Sequence, residues 1–306
     1  MIEAGLAAAR WLQFAAAVLL CGAPAFCLYA LTPSMLVREG VWLKRLWLGA
    51  LSAAAVAALL TLLAESAEMS GGVASAIDPA TIWSVAAGTY FGTVWFVRLA
   101  LLLVLSTFAV RFGRSSLDGY LFASLGTVFA ASLAWQGHGG EGAGMLGPMH
   151  RIADVVHMLA ASVWIGALVV LTHLVNRGRA GADEAQAAHA ALVRFSGVGP
   201  FVVAALILTG VMNTWALTAP RPWVAAIASP YAWVLALKLA LFAGMLGLAA
   251  LNRLALTPRL QAALANGGLE GAISNARRSV LIETVLAFFV LAAVSALGVM
   301  EPPSAG

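Results

Sequence analysis

Three of the five histidines in this chain, His138, His150 and His157, fall within a twenty-residue stretch that also holds Met145 and Met149. Imidazole and thioether groups at that density point to metal chemistry, and the combination is selective. Calcium and magnesium take oxygen ligands, and structural zinc usually recruits thiolates beside imidazole. Thioether with imidazole favours copper, the cuprous ion in particular, and imidazole also suits the cupric ion.

Spacing sharpens this reading. On a helix, His150, Asp154, His157, Ala161 and Trp164 fall within about 40° of a common line. His150 and His157 are separated by ~10.5 Å of helical rise, too far to share one ion through the helix alone. Asp154 lies between them, where it can orient either ring and fix the tautomer a metal requires. The remaining ligands are expected from the loop before the helix, whose many glycines between Gly137 and Gly147 let it fold back. That movement would bring His138, Met145 or Met149 toward His157, with His150 a further candidate. Trp164, two turns beyond His157, is expected to wall the entrance to the interior. His173 lies about 140° from the stripe and is expected to be a plain interfacial residue, and His189 a solvated one in a polar loop.

The elements that carry these residues are membrane helices. The chain is 62% hydrophobic and 10% charged, against roughly 25% charged in soluble domains, and its mean hydropathy is +0.94. A hydrocarbon layer of ~30 Å needs about 20 apolar residues per crossing. Runs of that length lie near 9–31, 44–65, 90–110, 117–136, 151–174, 195–217, 231–252 and 279–300. The expected fold is therefore all-α, a polytopic integral membrane bundle of about eight transmembrane helices forming one domain over 1–306. The alternating ten-residue strands of a β-barrel are absent from the sequence. The first run outlasts the h-region of a signal peptide and is expected to remain as a span. Cys21 and Cys27, six apart on one apolar run, are expected to be small core residues.

Positive charge sets the expected orientation. Twelve of the seventeen basic residues fall in the loops after runs 1, 3, 5 and 7, and Glu65, Glu68, Asp78, Glu141 and Glu301 collect on the other side. Both termini are thus expected outside the cytoplasm, and the His–Met loop with them. The net charge of +4 reads as a topology signal rather than a nucleic-acid footprint. No GxxxxGK[ST] phosphate loop is present, so no built-in ATP motor is expected, and nothing suggests an enzyme. Arg98, Lys238 and Glu283 lie within apolar runs, where a charge costs ~2.5–3.5 kcal/mol and needs a partner or water. Lys238 and Glu283 are candidates for a direct interhelical pair or for an ion path. Thr209, Asn213 and Thr214 could line a polar cavity or, the reading preferred here, hold helices together.

The segments "GHGG" (137–140) and "ADVVHMLAASVWIGAL" (153–168) are similar to the GHA and D-x-x-H…W-x-G blocks of the copper resistance protein D family (CopD). So are "RFSGVGPFVVAALILTGVMNTW" (194–215), "YAWVLALKLALFAGMLGLAALNR" (231–253) and "RRSVLIETVLAFFVLAAVSALGVMEPP" (277–303), while "GAPAFCLYAL" (22–31) is a weaker likeness. The resemblance is strongest over 137–303, and Gly139 and "YAW" depart from the family's usual alanine and YG. It implies eight helices, copper handling at the bacterial inner membrane, and a partner in trans, a small periplasmic copper-binding protein of the CopC type. It also implies that His138, Asp154, His157 and Trp164 belong to the outer site, with Lys238 and Glu283 as intramembrane charges.

The function expected is reception of a copper ion at the outer face for import, contributing to copper resistance and homeostasis. Inward movement of a cation gains ~2.3 kcal/mol per charge per 100 mV of inside-negative potential. A haem-b electron-transfer protein, which needs paired axial histidines, is one alternative. A non-transporting docking or sensor partner of a periplasmic copper carrier is the other.

Overall fold

A computed structural model describes residues 2–72, 77–135, 146–218 and 229–300 of the chain. Its elements are α1 (Ile2–Ala30), α2 (Pro33–Ser70), α3 (Pro79–Gly88), α4 (Tyr90–Ala109), α5 (Ser116–Ser132), α6 (Leu146–Arg177), α7 (Ala182–Thr218), α8 (Pro230–Leu251), α9 (Thr257–Asn266) and α10 (Leu269–Leu297). A π-turn, Asn252–Leu256, joins α8 to α9. Eight of these helical segments are long and apolar enough to cross a membrane. His138 and Met145, two of the residues expected at the metal site, lie outside the described residues.

Local chemistry starts these helices where they start. Thr32 accepts a hydrogen bond from the Met35 N–H and is followed by Pro33. Asp78 accepts from Thr81 and precedes Pro79, and Ser229 accepts from Ala232 and precedes Pro230. Each pair combines an oxygen that satisfies an orphan N–H with a proline whose missing N–H costs nothing at the first turn. The Thr81 backbone and hydroxyl bonds hold the exposed Asp78 carboxyl below the usual carboxylate range. Gly71, at φ 76°, ends α2 in the left-handed conformation.

Helix α1 is the hub, packed against α2, α5, α6, α7 and α10. Its closest crossing is with α6. A Cβ built on Gly22 would lie 1.6 Å from the Ser162 carbonyl oxygen, and one on Gly166 2.2 Å from the Ala23 nitrogen. Only glycine lets two membrane helices approach this far, where packing rather than hydrophobic exclusion drives association. Pro24 sits inside α1 and has no N–H for the Leu20 carbonyl, which instead meets the bare face of Gly126 on α5. Away from this hub Leu103, Phe201 and Leu254 are over two-thirds exposed, as lipid-facing side chains are.

Three expectations change. The polar stretch after Arg177 is not a loop throughout, because α7 begins at Ala182 with Asp183 and Glu184 in its first turn, favourable for the helix dipole. His189 is therefore a half-buried helical residue whose Nε2 has no partner, not a solvated loop residue. His173 is not a plain interfacial residue either. Its Nε2 lies 2.8 Å from Glu39 Oε2, its ring stacks on Trp42 at 3.8 Å, and Arg38 and Arg177 flank the same carboxylate. Glu39 is 2% exposed, and its charge explains the cluster: a buried carboxylate draws cations and donors to itself. Arg98, also 2% exposed, resolves its own burial by donating to the Ser132 hydroxyl and carbonyl at the end of α5. Cys21 and Cys27 are buried free thiols, as expected.

Candidate functional site

The stripe on α6 opens onto a cavity of about 280 Å³ between α1, α6, α7, α8 and α10. His150, Asp154 and His157 line it together, with Arg10, Asn213, Tyr231 and Lys238 as the other polar side chains. A smaller pocket of about 60 Å³ shares His157, Asn213, Tyr231 and Lys238 with it.

His157 is held by α7. Its Nδ1 lies 2.8 Å from Thr209 Oγ1, and that hydroxyl donates its own hydrogen to the Ala205 carbonyl at 2.6 Å. With that hydrogen committed to Ala205, Thr209 is placed to accept from a proton on Nδ1, an arrangement that leaves the Nε2 lone pair of the neutral ring free. This is the tautomer a metal ligand needs, fixed by a neighbour's hydrogen bond. Asp154, expected to orient either ring, lies beside His150 rather than His157. One oxygen accepts from Asn213 Nδ2 at 2.7 Å and the other lies 3.7 Å from His150 Nε2. The contact with the His157 ring thus belongs to Thr209, and Thr209 and Asn213 of α7 are both bonded to residues of the α6 stripe.

The methionines rearrange as well. Met149 is 51% exposed and is not part of the cavity lining, whereas Met158 and Met300 are. Among the described residues no group of three His, Cys, Asp or Glu side chains gathers to hold a metal ion. The donors at hand are two imidazoles, one carboxylate and two thioethers, which suit copper better than hard cations. Arg10 lines the cavity too, although the sequence reading above does not single it out. Its place within the first apolar run was the missed signal, because an ionisable residue inside a membrane helix marks a functional position by default.

Two family models match the chain: copper resistance protein D-like, N-terminal domain, over residues 1–148, and copper resistance protein D over residues 189–297. Over 218 residues the chain is 33% identical to copper resistance protein D of Pseudomonas syringae pv. tomato, covering 70% of this chain and 69% of that protein. The chain belongs to the copper resistance protein D family. It is 29% identical over 182 residues to inner membrane protein YebZ of Escherichia coli K12, covering 59% of this chain and 60% of that protein. It is also 29% identical over 213 residues to copper transport protein CutJ of Bacillus subtilis 168, covering 68% of this chain but 39% of that protein. No solved structure matches.

In this CopD-family chain the two intramembrane charges of the last helices do not meet. Glu283 accepts from Trp164 Nε1 and Asn252 Nδ2, each at 2.8 Å, while Lys238 lines the cavity with Asp154 and His157. The direct pair fails because Lys238 and Glu283 lie at different depths on α8 and α10. Trp164 is correspondingly not at the cavity wall: it is 2% exposed, beneath the lining residue Ile165 and edge-on to Phe242. Replacing Lys238 by Met and Glu283 by Gln should therefore change thermal stability additively, within about 0.5 kcal/mol. A double variant markedly more stable than the sum of the singles would put the two side chains in contact.

Proposed function

We propose that the chain receives copper in the α6 cavity and passes it inward across the bacterial inner membrane, as a transporter rather than an enzyme. The observation that carries this reading is the His157 ring, which lines the cavity with Nδ1 against the Thr209 hydroxyl, a contact that suits the tautomer with Nε2 free to bind a metal. The names of the relatives support it: one is a copper resistance protein, one an inner membrane protein and one a copper transport protein.

Cuprous copper is the species favoured. Arg10 and Lys238 border the same cavity, and their repulsion of a divalent ion is twice that of a monovalent one. Imidazole and thioether, from His157 and Met158, are also the softer donors that select Cu(I). His138 and Met145, together with His150, are proposed to complete the ligand set. A periplasmic copper carrier of the CopC type is the proposed donor, docking where α6 begins.

Both termini are proposed to face the periplasm, from the bias of basic residues to the opposite loops. A reporter active only in the periplasm, fused after Gly306, should be active, and a fluorescent reporter that matures in the cytoplasm should stay dark there. A bright cytoplasmic fusion would invert the orientation and put the cavity on the wrong side for import. The site itself is tested by copper bound per chain after purification under reducing conditions: about one cuprous ion is expected from one imidazole-led site, and none would refute it.

A further inference from the structure

Glu283 is 1% exposed, yet among the described residues no ion pair includes it. Each carboxylate oxygen accepts one bond from a neutral donor, Trp164 or Asn252. A buried charge held by neutral donors alone is costly, and one proton removes that cost.

Three oxygens nearby are buried without a partner: Asn252 Oδ1, Thr257 Oγ1 and Ser279 Oγ. Ser279 lies one helical turn from Glu283 on α10, and Thr257 one π-turn from Asn252, whose carbonyl accepts the Thr257 N–H. Gly267 and Gly268, at φ 91° and 84°, turn the chain back so that α10 returns along α9 and α8. With Asn252 against Glu283, Thr257 and Ser279 each lie about one turn further toward the same end of the bundle, at 6% and 5% exposure. That turn lies toward the end of the bundle opposite the cavity, where Arg277 bonds Asn176 of α6.

The chemistry of the unpartnered groups points to the partner they suit. A hydroxyl needs an acceptor for its hydrogen as well as a donor for its lone pairs. A metal cation would satisfy the lone pairs only, whereas water satisfies both and is the usual occupant of such sites. Asn252 adds a second property. Turning its amide over exchanges Nδ2 for Oδ1, so it can donate to the carboxylate or accept from the carboxylic acid.

We propose that Glu283 is a proton-binding site, loaded through water held by Ser279, Thr257 and Asn252 from the end of the bundle opposite the cavity. The proton comes from bulk solvent at that end, crosses the bound water as hydronium and bonds to Glu283 Oε2, and the water returns neutral. Among the described residues, the titratable groups on the neighbouring elements are placed elsewhere. On α6, Asp154 and His157 face the cavity and His173 and Arg177 engage Glu39. Lys238 of α8 lines the cavity and Arg10 of α1 bonds the Gly298 carbonyl. Arg253 of the π-turn, Arg259 of α9, and Glu270 and Arg278 of α10 are exposed. Trp164, which donates to Glu283, belongs to the same helix as the cavity residue His157.

The site is independent of the copper reading, so its test is done without metal. Infrared spectra of the full-length protein in lipid, titrated from alkaline to acid buffer, should develop a carboxylic-acid C=O band that is lost in Glu283→Gln and kept in Glu270→Gln. Should Glu283→Gln fail to accumulate, Asn252→Leu, which removes the group serving both charge states, must move the midpoint of that band. A wild-type spectrum without the band, a band that survives Glu283→Gln, or a midpoint unmoved by Asn252→Leu would each overturn the proposal.

Discussion

Replacing His157 with alanine is expected to abolish copper binding while the protein still folds in the membrane. The two halves of that expectation have separate causes. The variant removes the one imidazole whose lone pair is presented to the cavity by a fixed tautomer. It leaves no stranded donor, because the Thr209 hydroxyl keeps its bond to the Ala205 carbonyl. Thr209→Val retains the ring but frees it to turn and change tautomer, and should weaken copper binding by about 10–100-fold, the usual cost of losing a group that orients a ligand. Met149→Ala, half-exposed and off the cavity, should bind as the wild type does. Equal affinity in wild type and Thr209→Val would show that the tautomer is not set where the geometry sets it.

A large effect on folding is expected at Gly166, on the close crossing of α1 and α6. The atom its Cβ would strike at 2.2 Å is backbone, the Ala23 nitrogen, with Gly22 carbon atoms at 2.4 and 2.7 Å behind it. No rotamer change relieves that overlap, so α1 and α6 must part, and α1 carries the packing of four further helices. Overpacking costs about 1–3 kcal/mol and occasionally more; Gly166→Ala should reach or pass the upper end. Gly5→Ala, which meets nothing within 4 Å, is the matched control. Thermal unfolding in detergent, read by size exclusion, checks both, and a Gly166→Ala protein as stable as Gly5→Ala would mean the helices cross less closely than described.

How far the sequence could be read follows from which forces are local. The eight spans were legible because bilayer thickness dictates the length of an apolar run, and the α6 stripe because helical periodicity puts His150, Asp154 and His157 on one face. Partners on other helices were not. Thr209 lies 52 residues from His157 and Asn213 59 from Asp154, and nothing in a run of apolar residues says which face of α7 turns toward α6. The Lys238–Glu283 question had the same origin, since depth along two helices does not reveal that Trp164 and Asn252 claim the carboxylate first. His173 was misread because a histidine near a span's end resembles an interfacial residue until Glu39, 134 positions earlier, is seen beside it. The start of α7 was hidden by its polarity: Asp183 and Glu184 suit a helix N-terminus as well as they suit a loop.

Copper uptake into sealed vesicles tests the central claim most directly. Vesicles carrying the wild-type protein, given cuprous copper outside and an inside-negative potential, should accumulate the ion faster than protein-free vesicles. His157→Ala vesicles, with matched protein content, should fall to the protein-free rate. Wild-type vesicles that bind copper but accumulate no more than empty ones would contradict transport and leave a docking protein. His157→Ala vesicles that fill as fast as the wild type would contradict the cavity as the place where copper enters.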